Sequence, residues 1–165
     1  MPLASNAKLT VHFTAREANV DVPSATDTIV ENARSVARWL ESARGLMNEG
    51  RPVGAGERMV VISSWYRPPE VNTEVGGSVT SDHPQGLAAD FHVTGMTPYD
   101  VFTRLQEAQK AGLLPAFDQL IWYAADNHIH VGLGPRMRKQ LLFKTTEGSY
   151  LQLAGDVVKR IRGFV

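Results

Sequence analysis

Apolar residues recur at helical spacing over one long stretch of the chain and cluster or alternate in several short ones. The two periodicities mark out the predicted elements. From Thr26 to about Asn48 the apolar positions Ile29, Val30, Ala33, Val36, Ala37, Leu40, Ala43, Leu46 and Met47 form one helical stripe, with Thr26 or Asp27 as its cap. Gly50 and Pro52 keep the helix from running on. Residues 8–14 alternate briefly, and Ala15-Arg16-Glu17 opens a turn or short helix. Met59 to Ser63 is a β-rich run that reads as a buried strand. Arg67-Pro68-Pro69 breaks it, and a short helix is expected from Glu70 to Val75. Leu87 to Val93 reads as a second strand, and Thr97-Pro98 starts a helix to about Leu113. Asp118 to Tyr123 and His128 to Leu133 are two more strands joined tightly through Ala-Ala-Asp-Asn. Met137 to Lys144 is expected as an edge strand, and Leu151 to Arg162 as a helical tail.

Helices flanking a small, mostly antiparallel sheet make an α+β domain. The length, 165 residues, suits one such domain. Lysine plus arginine and aspartate plus glutamate both number 17, so no net field draws the chain to nucleic acid, and no basic block marks an anionic membrane. No apolar run approaches the ~20 residues of a membrane span. Met1-Pro2-Leu3-Ala4-Ser5-Asn6-Ala7-Lys8 does not read as a secretory signal, so cytoplasmic synthesis is expected. Cysteine is absent, which excludes disulfides, thiolate metal sites and thiol nucleophiles. Any metal must therefore be held by His, Asp or Glu.

Of the five histidines, His12 stands alone, while His83, His92, His128 and His130 fall in two clusters. In Ser81-Asp82-His83-Pro84-Gln85-Gly86-Leu87-Ala88-Ala89-Asp90, the small residues Gly86, Ala88 and Ala89 would let a loop pass tightly against the sheet and bring His83 to Asp90. An imidazole and a carboxylate without thiolate suit a catalytic rather than a structural zinc site. On spacing alone, two ordinary loop residues are the alternative. In His128-Ile129-His130, residues two apart on a strand share a face. Both imidazoles would look into one cleft, with an exposed polar face as the alternative. Two histidines and one carboxylate leave the fourth zinc position to a water, whose pKa the metal can bring to roughly 7.

Ser81 to Asp90 matches Ser-x-His-x-x-Gly-x-Ala-x-Asp and so resembles the D-Ala-D-Ala carboxypeptidase (M15) family of zinc peptidases. Phe13-Thr14-Ala15-Arg16-Glu17 resembles the opening segment of its phage-type members. Ser63-Ser64-Trp65-Tyr66-Arg67-Pro68-Pro69-Glu70-Val71-Asn72 is similar to their Ser-Gly-Tyr-Arg-Ser-Pro-x-x-Asn stretch, with Val75-Gly76-Gly77-Ser78 after it. Phe117-Asp118-Gln119-Leu120-Ile121 then leads into the His-x-His strand. The likeness spans about residues 10 to 135 and leaves 136–165 as a C-terminal extension. It implies a hedgehog-like and D-Ala-D-Ala-peptidase-like fold, with zinc held by His83, Asp90 and His130. Arg67 matches the arginine that family members aim at a substrate carboxylate or carbonyl oxygen, a task that suits a fixed guanidinium. His128 matches the unligated histidine that handles protons beside the metal. Ser81 is expected in the substrate pocket; His92, two residues beyond a ligand on the same strand face, is expected in or behind that pocket, with plain exposure as the alternative.

The chain departs from the pattern where many members carry a Glu or Asp general base, three residues before the last ligand. Asn127 stands there, and an amide cannot accept a proton from water. Tyr123 also occupies a position where several phage-type relatives have Glu. The base is therefore expected at His128, or at Asp126 if the turn is shaped differently. The resemblance implies hydrolysis of a peptidoglycan peptide containing D-amino acids, in stem or crosslink. With no signal peptide, a phage lytic or virion-associated enzyme is expected. The alternative is a zinc-containing domain of the same fold that binds the wall or makes protein contacts without catalysis, a reading that Asn127 favours.

Overall fold

The computed structural model describes residues 2–153. Helix α1 spans Asp27–Asn48, and the choice of cap falls on Thr26, whose hydroxyl accepts from the Ile29 N–H at 3.3 Å. Asp27 then sits in the first turn, where the helix dipole favours a negative charge. Strand β1 is Val60–Ser64, helix α2 Pro69–Glu74, and a 3-10 turn covers His83–Gln85. Strand β2 (Ala88–Val93) leads to helix α3 (Pro98–Lys110), capped by the Thr97 hydroxyl on the Asp100 N–H. Helix α3 ends before Leu113. Gly112 takes φ +71° and donates to the Gln109 carbonyl, while the Leu113 N–H reaches back to Ala108 at 2.8 Å. That pair of bonds is a Schellman stop, which a helical stripe alone does not reveal. Strands β3 (Gln119–Tyr123), β4 (His128–Gly132), β5 (Gln140–Lys144) and β6 (Tyr150–Gln152) complete the fold.

The fold is α+β. Its six-stranded sheet has the order β1-β2-β4-β3-β5-β6, antiparallel throughout except for the parallel pair β3 and β5. Two expectations are corrected here. Strand β5 is internal, because β6 pairs along its outer side. Leu151 and Gln152 are strand rather than helix: Gly148, at φ +88°, turns the chain back so that Tyr150 pairs with Lys144. Leu153 follows them without helix, its N–H on the Leu141 carbonyl at 2.8 Å, and the expected tail helix from residue 154 on lies outside the described residues. The early alternation at 8–14 gives a single bridge, Lys8 to Thr14, and no strand.

The period-two pattern sorts the sheet into two faces. One face, including Phe91, Leu120, Trp122, Ile129 and Phe143, packs under α1 and α3. Trp39 of α1 meets Phe91 and Phe117 with ring centres 6.5 and 6.2 Å apart, and Phe102 of α3 meets Trp122 at 6.4 Å. Burying each of these side chains stabilises by about 2 to 3 kcal/mol. The other face carries Asp90, His130, His128, Ile121, Tyr123 and Lys144, and it lines a cleft. No described helix is long and apolar enough to cross a membrane.

Candidate metal centre

The register of β2 on β4 sets Asp90 directly opposite His130, both on the open face. His83 comes to them from the 3-10 turn. That turn is fixed by local bonds: the His83 N–H donates to Ser81 Oγ at 3.3 Å, Gly86 N–H to the His83 carbonyl at 3.0 Å, and Leu87 N–H to the Asp82 carbonyl at 3.1 Å. Gly86 has φ +70°, and a Cβ there would lie 2.8 Å from the Ile29 carbonyl of α1. Glycine is thus required both by the left-handed backbone and by the helix pressed against it. Asn32 of α1 donates to the Gln85 carbonyl at 2.8 Å and ties the turn down further.

His83 is 2% exposed, and its Nδ1–H donates to the Trp65 carbonyl at 2.5 Å. A carbonyl only accepts, so this bond fixes the tautomer and leaves a lone pair on Nε2. That Nε2 is buried without a hydrogen-bond partner and sits 3.3 Å from Asp90 Oδ2. His130 presents Nδ1 to Asp90 Oδ1 at 2.7 Å. Arg67 donates from a terminal nitrogen to Asp90 Oδ2 at 3.2 Å, while its own Nε is buried and unpaired. Burial alone pushes the Asp90 carboxyl up, but the bond to His130 and the close approach of the His83 imidazole outweigh this and hold it far below the usual carboxylate range. Burial pushes the His83 imidazole down, against the pull of Asp90.

One donor atom each from His83, Asp90 and His130 lie within 4.8 Å of one another. Two imidazole nitrogens and a carboxylate oxygen, one of the nitrogens an orphaned buried lone pair, are a donor set that fits a divalent ion with a coordination position to spare. The residues fit a metal.

Around the three lie His128, Arg67, Ser81 and Asp126, all lining a cleft of about 610 Å³. His128 turns Nε2 to within 3.8 Å of Asp90 Oδ1 and stacks on Tyr123 with ring centres 4.7 Å apart at 15°. Burial pushes its pKa down, against Asp90 and Asp126, so the ring favours the neutral form that can take up a proton. Asn127 is exposed at the β3–β4 turn with φ 54°, a left-handed position that asparagine tolerates. Asp126 is exposed beside it. Ser81 spends its hydroxyl oxygen on the His83 N–H. His92 shares the strand face of Asp90 but is exposed and stands outside the cleft; the structure does not bring it to the other residues.

Sequence reasoning missed Asp82. Its carboxylate lies beneath the end of β4, where a Cβ on Gly132 or Gly134 would come within 2.9 or 2.7 Å of it. Burial, then Asp118, push its pKa up. The glycines at the end of the His-x-His strand and two residues beyond it, Gly132 and Gly134, were the available signal. The opening segment that resembles the phage-type domains turns out to be a brace. Phe13 packs edge-on against Trp65 at 6.0 Å, the Tyr66 N–H donates to the Ala18 carbonyl, and Asn19 Nδ2 donates to the Tyr66 carbonyl.

No curated protein matches the chain. The family model described as peptidase M15 matches residues 11–132, a stretch that takes in β1 to β4, Arg67 and all three convergent donors. The chain therefore belongs to the peptidase M15 family, whose members are metal-dependent peptidases.

Proposed function

We propose that this protein is a zinc-dependent peptidase that hydrolyses peptide bonds of bacterial peptidoglycan, in a stem or crosslink containing D-amino acids, as a phage lytic or virion-associated enzyme. The observation that carries the reading is the convergence of His83, Asp90 and His130 at the floor of an open cleft that also holds Arg67 and His128. Zinc held by these three residues would supply Lewis acidity toward a water and a substrate carbonyl, bringing the water's pKa to roughly 7.

The chain's own groups supply the rest. His128, desolvated and facing the site through Nε2, accepts the proton of the attacking water and returns it to the leaving amine. Arg67, anchored on Asp90, holds a substrate carbonyl or carboxylate oxygen with its remaining N–H groups. Asp126 stands at the rim and biases His128 electrostatically. The test is mass spectrometry of muropeptides after incubation with zinc-loaded protein. New cleavage products are expected from the native protein and none from His83→Ala. Wall digestion by His83→Ala overturns the reading.

One observation favours a second reading. The residue at the usual position of the acidic base is Asn127, exposed on the turn. A zinc-containing domain that binds wall peptides without cutting them would keep full metal content and peptide affinity and give no products in the same experiment.

A further inference from the structure

The cleft continues past the metal centre over sheet that the family match does not reach. Tyr123 of β3 lies opposite His128 on one side and Lys144 of β5 on the other, and Lys144 lies opposite Tyr150 of β6. These four side chains make one row across the open face, and all four line the cleft. Tyr150 stands edge-on to Tyr123 at 88°, and Lys144 Nζ sits 5.0 and 5.1 Å from the two ring centres. Among the described residues no carboxylate pairs with this nitrogen; its contacts are the ring faces. Rings on two sides restrict a long, flexible side chain and leave its N–H groups for a ligand. The two phenol hydroxyls share one bond of 3.3 Å, long for O–H···O, so either can turn to a better acceptor.

We propose that Tyr123, Lys144 and Tyr150 form a second substrate subsite that binds a free carboxylate of the peptide, with Lys144 and one phenol donating to its oxygens. This rests on the reading of the cleft as a peptide site. Strand β5 lies two strand spacings from β4, about 10 Å, which an extended peptide covers in roughly three residues. The substrate class is thus an acidic peptide, with a free carboxylate roughly three residues from the bond held at the metal centre. A sugar ring stacked on the tyrosines is the rival occupant, and it would ignore both the charge of the peptide and the identity of residue 144.

The test is calorimetric binding of two synthetic stem peptides to the zinc-loaded full chain, identical except that one carries a carboxylate and the other a carboxamide at that position. The acid is expected to bind about tenfold more tightly than the amide, the worth of one charge-assisted bond. Lys144→Met should bring the ratio to about one, and Lys144→Arg should preserve it. Metal content and thermal midpoint of both variants, unchanged from the native protein, show that the fold is intact. Equal affinity for acid and amide, a ratio that survives Lys144→Met, or no binding of either peptide overturns the subsite. If the acid is preferred through Lys144 but neither peptide is ever cut, the subsite stands and the peptidase reading falls.

Discussion

Asp90 touches four ionisable side chains at once: Arg67, His83, His128 and His130. A carboxylate so surrounded stays ionised despite burial, and it orients every neighbour that could bind a metal or move a proton. His128 differs from His83 and His130, the candidate metal-binding pair, in being 3.8 Å from Asp90 and stacked on Tyr123. It is thus free of the ligand set yet close to it. His128→Gln is expected to lower kcat about 10²- to 10⁴-fold with metal content retained, whereas Asp126→Asn, at the exposed rim, should change kcat by less than about tenfold. Steady-state kinetics beside metal analysis separates the two. Asp118 is the other buried carboxylate that matters. It accepts from the Arg138 backbone N–H and side chain at 3.0, 2.8 and 2.6 Å, and the Arg138 guanidinium holds its pKa below the usual range. Its folded pKa is depressed, so the stability it contributes is present above an unfolded value near ~3.9 and is lost as pH falls through the folded one. Urea unfolding from pH 6 to pH 3 should show the native protein losing more stability than Asp118→Asn, and the variant should be weaker by about 2 kcal/mol at pH 7.

At the scale of elements, the site depends on a turn, a register and a twofold side-chain alternation, and these were unequally legible. The alternation was readable, because residues two apart on any strand share a face; hence His128 and His130 look into one cleft. The turn was half readable: Gly86 and the alanines promised a close approach, but the helix carbonyl that demands it, at Ile29, is far away in sequence. The register was not readable, since nothing local to β2 says that Asp90 pairs with His130 and not with His128. The same non-locality explains His92. It has the right parity, but the β2–β4 pairing stops at Phe91 and Ile129, one residue before His92 would have a partner. Strand β6 gave no signal because it is three exposed residues. A Cβ at position 86 must strain a left-handed backbone and push against α1. Gly86→Ala is expected to cost about 2 to 3 kcal/mol, seen as a lower urea midpoint at constant slope. It should also weaken zinc binding at least about tenfold, because His83 rides on that turn. A stability loss without a change in zinc affinity would detach the turn from the metal centre.

For the whole molecule, the division of labour between the two sheet faces decides how far folding depends on the metal. The core under α1 and α3 is one hydrophobic cluster that includes Trp39, Phe91, Phe102, Trp122 and Phe143, whereas His83, Asp90 and His130 line the cleft on the other side of the sheet. Burial on that scale is enough to hold the fold, in contrast to small zinc domains, where metal binding and folding are a single event. The metal is then a ligand that binds the native state, and its effect follows mass action. With free zinc at about 100 times its dissociation constant, the gain is about 2.7 kcal/mol, which for a chain of this size corresponds to roughly 5 to 10 °C in Tm. Calorimetry with and without a strong chelator should show a shift of that order between two cooperative transitions. Loss of the cooperative transition on chelation would mean that the open face, with its imidazoles and carboxylate, holds the sheet together, and that the hydrophobic face cannot do so alone.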